Sequence, residues 1–320
     1  MASGPLFRSL WFLASLLEVI SLGPASLQTR AAGAQPPSRP NVVVILVDDM
    51  GWADIGPFGS EMATPNLNAL AANGVRFTQF YSTPRCSPSR ASLLTGLYPH
   101  QAGMGHLDNV IRPGSLGTTG RLNDRSVTIP EVLHEAGYFT AMSGKWHLGQ
   151  SNGTPPWERF DRSLSLRAGG MYFPNQHYQG PDSALTERAR EMLYLNGVGT
   201  ARDAPAFGQH WYAPYLWTDF ALRFVDEARQ AGKPFFLYLP HNAPHFPLMA
   251  PPELIAKYRG KYKAGWDQLR QARYQRQIRM GLIDPRWPLT AREPDTPAWD
   301  SLSEEQFSPW RASADRKSVV

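Results

Sequence analysis

Residues able to do chemistry fall at four places in the chain. The only cysteine, Cys86, sits in CSPSRASLLTG, after Arg85 and before Pro88 and Arg90. SRASLL reads as the first turns of a helix. Cys86 is therefore expected just before a helix N-terminus, where free N–H groups and the macrodipole favour negative charge. A sulfur flanked by two arginines at a helix start is a seat for an anion. Asp48 and Asp49 close an apolar run. Two adjacent carboxylates repel unless a cation holds them, and hard cations such as calcium or magnesium take oxygen ligands. Lys145 and His147 stand two apart in GKWHLG and would share a side in extended backbone. His241 and His245 lie in HNAPHFPL. Histidine titrates near neutral pH, so one of them could serve as a general acid or an anion contact.

These residues need elements to position them. Val42–Val47 is a continuous apolar run, as expected of a strand buried on both faces of a parallel sheet. It ends at Asp48-Asp49, and ligands in open α/β sheets bind beyond the carboxyl ends of strands. Thr64-Pro65-Asn66 starts a helix that Gly74 ends. Val75–Tyr81 alternates and reads as a strand delivering the chain to Cys86. Strand, helix, strand implies one right-handed βαβ unit with Asp48, Asp49 and Cys86 at neighbouring strand ends. Residues 97–126 are rich in Gly, Pro, Asn and Arg and read as loop lining the pocket. Thr128–Glu131 gives a capping box, with a helix to Gly137. Tyr138–Ser143 reads as a strand that runs out at Lys145 and His147. Asp219–Gln230 is an amphipathic helix, and Phe235–Leu239 a buried strand that delivers HNAPHFPL. The basic stretch Pro251–Gly281 reads as a helical, solvated face, and Ser301–Glu305 as a fresh helix start. His177 and His210 sit among aromatics and read as packed or substrate-facing. Asn152-Gly153-Thr154 is a glycosylation sequon.

Composition bounds the class. The 320 residues are 18% charged and 42% hydrophobic with 29 prolines, which excludes disordered and fibrous chains. The net charge of +5 comes without a dense Lys/Arg run, which argues against nucleic acid as a partner. A modest positive balance suits an acidic or sulfated substrate. One cysteine excludes any intrachain disulfide. Arg8 precedes an apolar run from Leu10 to Leu22, and Ala32-Gly33-Ala34 offers a small-x-small cleavage site. Residues 1–34 are thus expected to be a secretory signal peptide, followed by a Pro-rich linker at 35–40. The run falls short of the ~20 residues a spanning helix needs, so no stable membrane insertion is expected.

Cys-x-Pro-Ser-Arg followed by x-x-Leu-x-Thr-Gly resembles the signature of the type I sulfatases, members of the alkaline-phosphatase-like superfamily. GYFTAMSGKWHLG resembles their second signature, and Ala-Pro-His-x-Pro at His245 their third. The likeness runs from about Pro40 to about Pro309 and lies closest to bacterial arylsulfatases. It implies an α/β fold with a mostly parallel sheet flanked by helices, and residues 41–314 as the N-terminal portion of a catalytic domain. It implies that Cys86 is oxidised to formylglycine by a separate formylglycine-generating enzyme, and that the hydrate of this group attacks a sulfate ester. Asp48, Asp49 and the modified Cys86 would bind a divalent cation, usually calcium. Arg90 would steady the nucleophile, Lys145 and His147 would contact sulfate and orient formylglycine, and His245 would contact sulfate and protonate the leaving group. The substrate would be a small-molecule or carbohydrate sulfate ester, and the protein exported: periplasmic, secreted, or in the lysosome or ER lumen of a eukaryote. Relatives of the same superfamily hydrolyse phosphonate monoesters and phosphodiesters, which is the alternative activity. Full-length members also carry a second acidic pair, a further lysine and a smaller C-terminal domain, none of which can be located. The fold is therefore expected to be incomplete at its C-terminus, and an inactive truncated fragment is a further alternative. Asp315–Val320, DRKSVV, is what a short sequencing adapter would encode, so 315–320 is expected to be a non-native tail.

Overall fold

The computed structural model describes residues 39–149, 155–174 and 193–303. The chain divides into two units, 1–39 and 40–320, and the elements of the second carry the fold. The expected signal segment, the sequon at Asn152, His177 and the expected non-native tail 315–320 lie outside the described residues.

Among the described residues six strands form one sheet in the order β1-β6-β2-β3-β4-β5. They are β1 (Val42–Leu46), β2 (Phe139–Lys145), β3 (Arg162–Leu166), β4 (Leu193–Leu195), β5 (Val198–Thr200) and β6 (Phe235–Pro240). β1, β6, β2 and β3 are mutually parallel neighbours, while β4 and β5 pair antiparallel. All four parallel strands therefore point their carboxyl ends to one rim, where binding residues of open α/β sheets collect.

Both faces of the central strands are buried, and side-chain alternation splits the core in two. Phe139, Ala141, Leu164, Leu166, Leu237 and Leu239 pack against α4 (Ala213–Gln230). That helix buries Ala213, Leu216, Trp217, Phe220, Ala221, Phe224 and Ala228. The three- and four-residue spacing is a single helical stripe. The stripe explains why the helix begins six residues before Asp219: Ala213, Leu216 and Trp217 extend it. Met142, Phe236 and Tyr238 point the other way and join Trp146, Phe160 and Leu94 in the second cluster. Each large apolar side chain so buried contributes ~1.5–3 kcal/mol.

α1 (Pro65–Asn73), α2 (Cys86–Thr95) and α3 (Ile129–Glu135) form near the expected positions. The capping box at α3 is present: the Thr128 backbone N–H donates to Glu131 at 2.8 Å. Three expectations fail. Val75–Tyr81 forms no strand but an exposed irregular segment, with Phe77, Phe80 and Tyr81 63–83% exposed. Alternation makes a strand only where an edge is available to pair with it, and none of the described strands accepts this one. Cys86 is thus delivered without a second strand of a βαβ unit. β1 is not buried on both faces: among the described strands it is the edge, and Val43 and Ile45 are 50% and 58% exposed. The basic stretch is not a free solvated face. It forms α5 (Pro252–Ala256) and α6 (Gly265–Arg279), and α6 clamps the loop after β1. Arg273 binds Glu61 through two nitrogens and reaches Asp54, while Arg276 donates to the Gly59 carbonyl. Near the expected Ser301 start there is a short turn of helix at Trp299–Ser301. His210 is exposed.

Candidate active site

The carboxyl ends of β1, β2 and β6 meet the start of α2. The arrangement follows from the sheet register. Beyond β1 the chain continues alongside the segment after β6, with His241 N–H donating to Leu46 and Asp48 N–H to Ala243. Beyond β2, Trp146 N–H donates to Leu166 at the end of β3 and His147 N–H to Arg167 just past it. Asp49 and His147 both have left-handed backbone, φ 59° and 57°, a conformation non-glycine residues rarely adopt. Strained residues of this kind cluster where a side chain must be aimed at a site.

Cys86 is the first residue of α2, with Arg85 as its extended cap. The helix begins three residues before Ser89, which puts Cys86 within the first turn, where unpaired N–H groups lie. Its half-buried thiol lies beside the His147 ring. Burial works to raise the thiol, but the neighbouring His147 and Lys145 outweigh it and hold it below the ordinary 9.0. Negative charge is thus favoured at position 86.

Arg90, one turn later, is fully buried. It donates to the Lys145 carbonyl at 2.6 Å, and its Nη2 lies 3.2 Å from Asp48 Oδ1. Its Nε keeps an unfilled donor. Lys145, also fully buried, places its ammonium 2.5 Å from Asp48 Oδ2. The cations on Asp48 among the described residues are therefore the protein's own. Burial raises the Asp48 carboxyl, Arg90 and Lys145 lower it further, and the net result is a carboxylate held below its ordinary 3.8. Asp49 behaves differently: it is 57% exposed, with His245 Nε2 3.8 Å away.

His245 is placed by a hydrogen-bonded bracket. Its Nδ1 donates to the Phe246 carbonyl at 2.6 Å, which leaves Nε2 facing Asp49. The Tyr172 hydroxyl donates to the His245 carbonyl at 2.5 Å. Asn242, fully buried, donates to the Met171 carbonyl and accepts from Trp217 Nε1, both at 2.8 Å. His241 is half-buried, and burial alone pushes its imidazole down to about 4. Sequence reasoning missed Asp108, Tyr172, Asn242 and Trp217. Asn242 lies inside HNAPHFPL and was open to notice, whereas Asp108 stands in a loop with no pattern around it.

The described residues do not complete a calcium site. Calcium takes six to eight oxygen ligands. Here two carboxylates are on offer, one of them already engaged by two cations, and no group of three or more potential ligands occurs among the described residues. The surroundings of Cys86 do fit an oxidised, oxygen-bearing side chain, since a histidine and two buried cations face it.

A family model for sulfatases matches residues 40–288. An uncharacterized sulfatase of Schizosaccharomyces pombe is 40% identical over 278 residues, covering 84% of this chain and 49% of that protein. The arylsulfatase of Klebsiella aerogenes is 36% identical, covering 86% and 58%. The crystal structure of Ps i-CgsB with a neocarrahexaose superimposes with a TM-score of 0.56 at 32% identity, over 76% of this chain and 53% of that one. BT4656 in complex with its substrate D-glucosamine-2-N,6-O-disulfate gives 0.50 at 28% identity, over 69% and 37%. The chain spans about half the length of the curated relatives it matches. With the mostly parallel sheet of an alkaline-phosphatase-like α/β fold and three signature motifs meeting at its carboxyl rim, the chain belongs to the sulfatase family.

Proposed function

We propose that the whole protein hydrolyses sulfate esters, in the manner of the arylsulfatases, with a formylglycine made from Cys86 as its nucleophile. The observation that carries this reading is the meeting of Cys86, Lys145, His147, Arg90 and His245 at one strand rim. When made, formylglycine supplies as its hydrate one oxygen to attack sulfur and a second hydroxyl whose deprotonation expels sulfate. His147, beside position 86, orients that group and takes a proton there. Arg90 and Lys145, buried and charged, stabilise negative charge growing on the nucleophile and on sulfate. His245 Nε2, partly exposed beside Asp49, is the proton donor to the departing alcohol. Asp48 and Asp49 are the carboxylates this span would contribute to a cation site.

The alcohol half of the substrate is a sulfated sugar or an aryl group. Structural neighbours crystallised with a neocarrahexaose and a disulfated glucosamine favour the sugar. The protein requires a formylglycine-generating enzyme as partner and an exported location where sulfated polymers occur. Among the described residues no helix is long and apolar enough to cross a membrane.

The test is turnover by the full-length protein, co-produced with a formylglycine-generating enzyme, of a sulfate monoester against a matched phosphodiester. Sulfate should be the faster substrate, and mass spectrometry should find an aldehyde at position 86. Preferential phosphodiester cleavage would reassign the activity within the superfamily. For the 320-residue chain itself, calcium titration by calorimetry is expected to show no site tighter than about 10⁻⁴ M. A tight stoichiometric site would contradict the half-set of ligands.

A further inference from the structure

Asp108 belongs to no motif and lies in the irregular stretch between α2 and α3. It is nevertheless only 4% exposed, and its Oδ1 stands 3.3 Å from Nε2 of His147. The stretch is locked backbone to backbone beneath the site. A Cβ at Gly120 would fall 2.5 Å from the Asp108 carbonyl oxygen, and one at Gly149 would fall 2.6 Å from the Gly120 carbonyl oxygen. Both glycines have positive φ, 74° and 82°. Only glycine permits this stack of Asp108 on Gly120 on Gly149, two residues past His147. Met104 and Thr118 bridge the base of the stretch, and Arg112 N–H donates to Thr118. The carboxylate is therefore delivered by rigid backbone, not by a loose side chain.

His147 Nε2 faces the Asp108 carboxylate, and the ring lies beside the Cys86 thiol. Its Nδ1 is buried with no hydrogen-bond partner. A carboxylate on one imidazole nitrogen fixes both the ring's orientation and which nitrogen carries the proton. We propose that Asp108 is the positioning residue of the site: by accepting Nε2–H it holds His147 against position 86 and leaves Nδ1 as the ring atom open to a further partner. The proposal rests on the sulfatase reading for its effect on rate, but its structural half stands without it.

The experiment uses the full-length, formylglycine-bearing protein with nitrophenyl sulfate. Asp108→Ala is expected to lower kcat by about 10–100-fold while KM stays within roughly threefold. Formate at constant ionic strength should restore part of kcat in Asp108→Ala and leave the wild type unchanged. Wild-type kcat in Asp108→Ala, or a loss that formate does not repair, would overturn the proposal. The near-isosteric Asp108→Asn guards against misfolding of the alanine variant. In histidine-labelled protein the His147 Nε2 proton should exchange slowly in the wild type and rapidly in Asp108→Asn. Equal exchange in both would also overturn it. If the wild type turns over no sulfate ester, the functional reading fails while the exchange measurement still decides the role of Asp108.

Discussion

Asp48→Asn is expected to destabilise the 320-residue chain by about 3–5 kcal/mol, the cost of removing one partner from a buried charge pair. Asp48 is 5% exposed and lies against two fully buried cations, Lys145 at 2.5 Å and Arg90 at 3.2 Å. The amide preserves shape but leaves both cations in the core without a counter-charge. Urea denaturation followed by fluorescence and circular dichroism gives the difference as a shift in midpoint at constant slope. The pH dependence has a definite sign. The folded Asp48 carboxyl is held below its ordinary value, so its contribution is present above the unfolded pKa of about 3.9 and is lost as pH falls through the folded value. The gap between wild type and Asp48→Asn should therefore be full at neutral pH and close on strong acidification. The double variant Asp48→Asn with Lys145→Met should recover part of the loss, because an apolar group of similar length then replaces an orphaned ammonium. Equal stability of wild type and Asp48→Asn at pH 7 would show that Arg90 and Lys145 find other partners.

The same pair shows what was legible in the sequence. Two adjacent aspartates after an apolar strand call for positive charge, and for Asp48 the described residues supply it through Arg90 and Lys145. Lys145 is 97 positions away and reaches Asp48 only because β6 lies between β1 and β2 in the sheet order. Local rules worked where the cause is local. The capping box of α3 and the apolar strands β2 and β6 appear close to where they were read, since each is set by neighbours in the chain. Val75–Tyr81 failed because period-two alternation is a statement about a possible partner strand, and none is present among the described strands. Asp108 could not be found from pattern at all. Its burial depends on two glycines, one 12 and the other 41 positions later, closing a backbone stack, and nothing in HLDNV marks it. Cys86, Arg90, Lys145, His147 and His245 were legible through the family resemblance. Read singly, each was an ordinary loop, core or surface residue.

Cys86→Ser in the full-length protein is expected to abolish steady-state sulfate-ester turnover, by at least about 10³-fold. The substitution exchanges sulfur for oxygen at the first residue of α2 and leaves Arg90, Lys145 and His147 in place, so the fold should be unaffected. What it removes is the possibility of a carbonyl at position 86. A serine hydroxyl could still displace the alcohol from sulfate, with His147 beside it to receive the proton. The product would be a serine sulfate ester with no neighbouring hydroxyl to push sulfate out. Water would have to reach sulfur within a half-buried site lined by two buried cations. One turnover followed by arrest is therefore the expected signature: a burst of alcohol equal to the enzyme present, and a mass increase of about 80 Da on the peptide that contains position 86. Unmodified Cys86, produced without a formylglycine-generating enzyme, should also be inactive in steady state, since a thiol has the same single attachment point. Sustained wild-type turnover by Cys86→Ser would mean that position 86 is not the nucleophile, and that the anion-holding turn of α2 binds the ester while another group attacks.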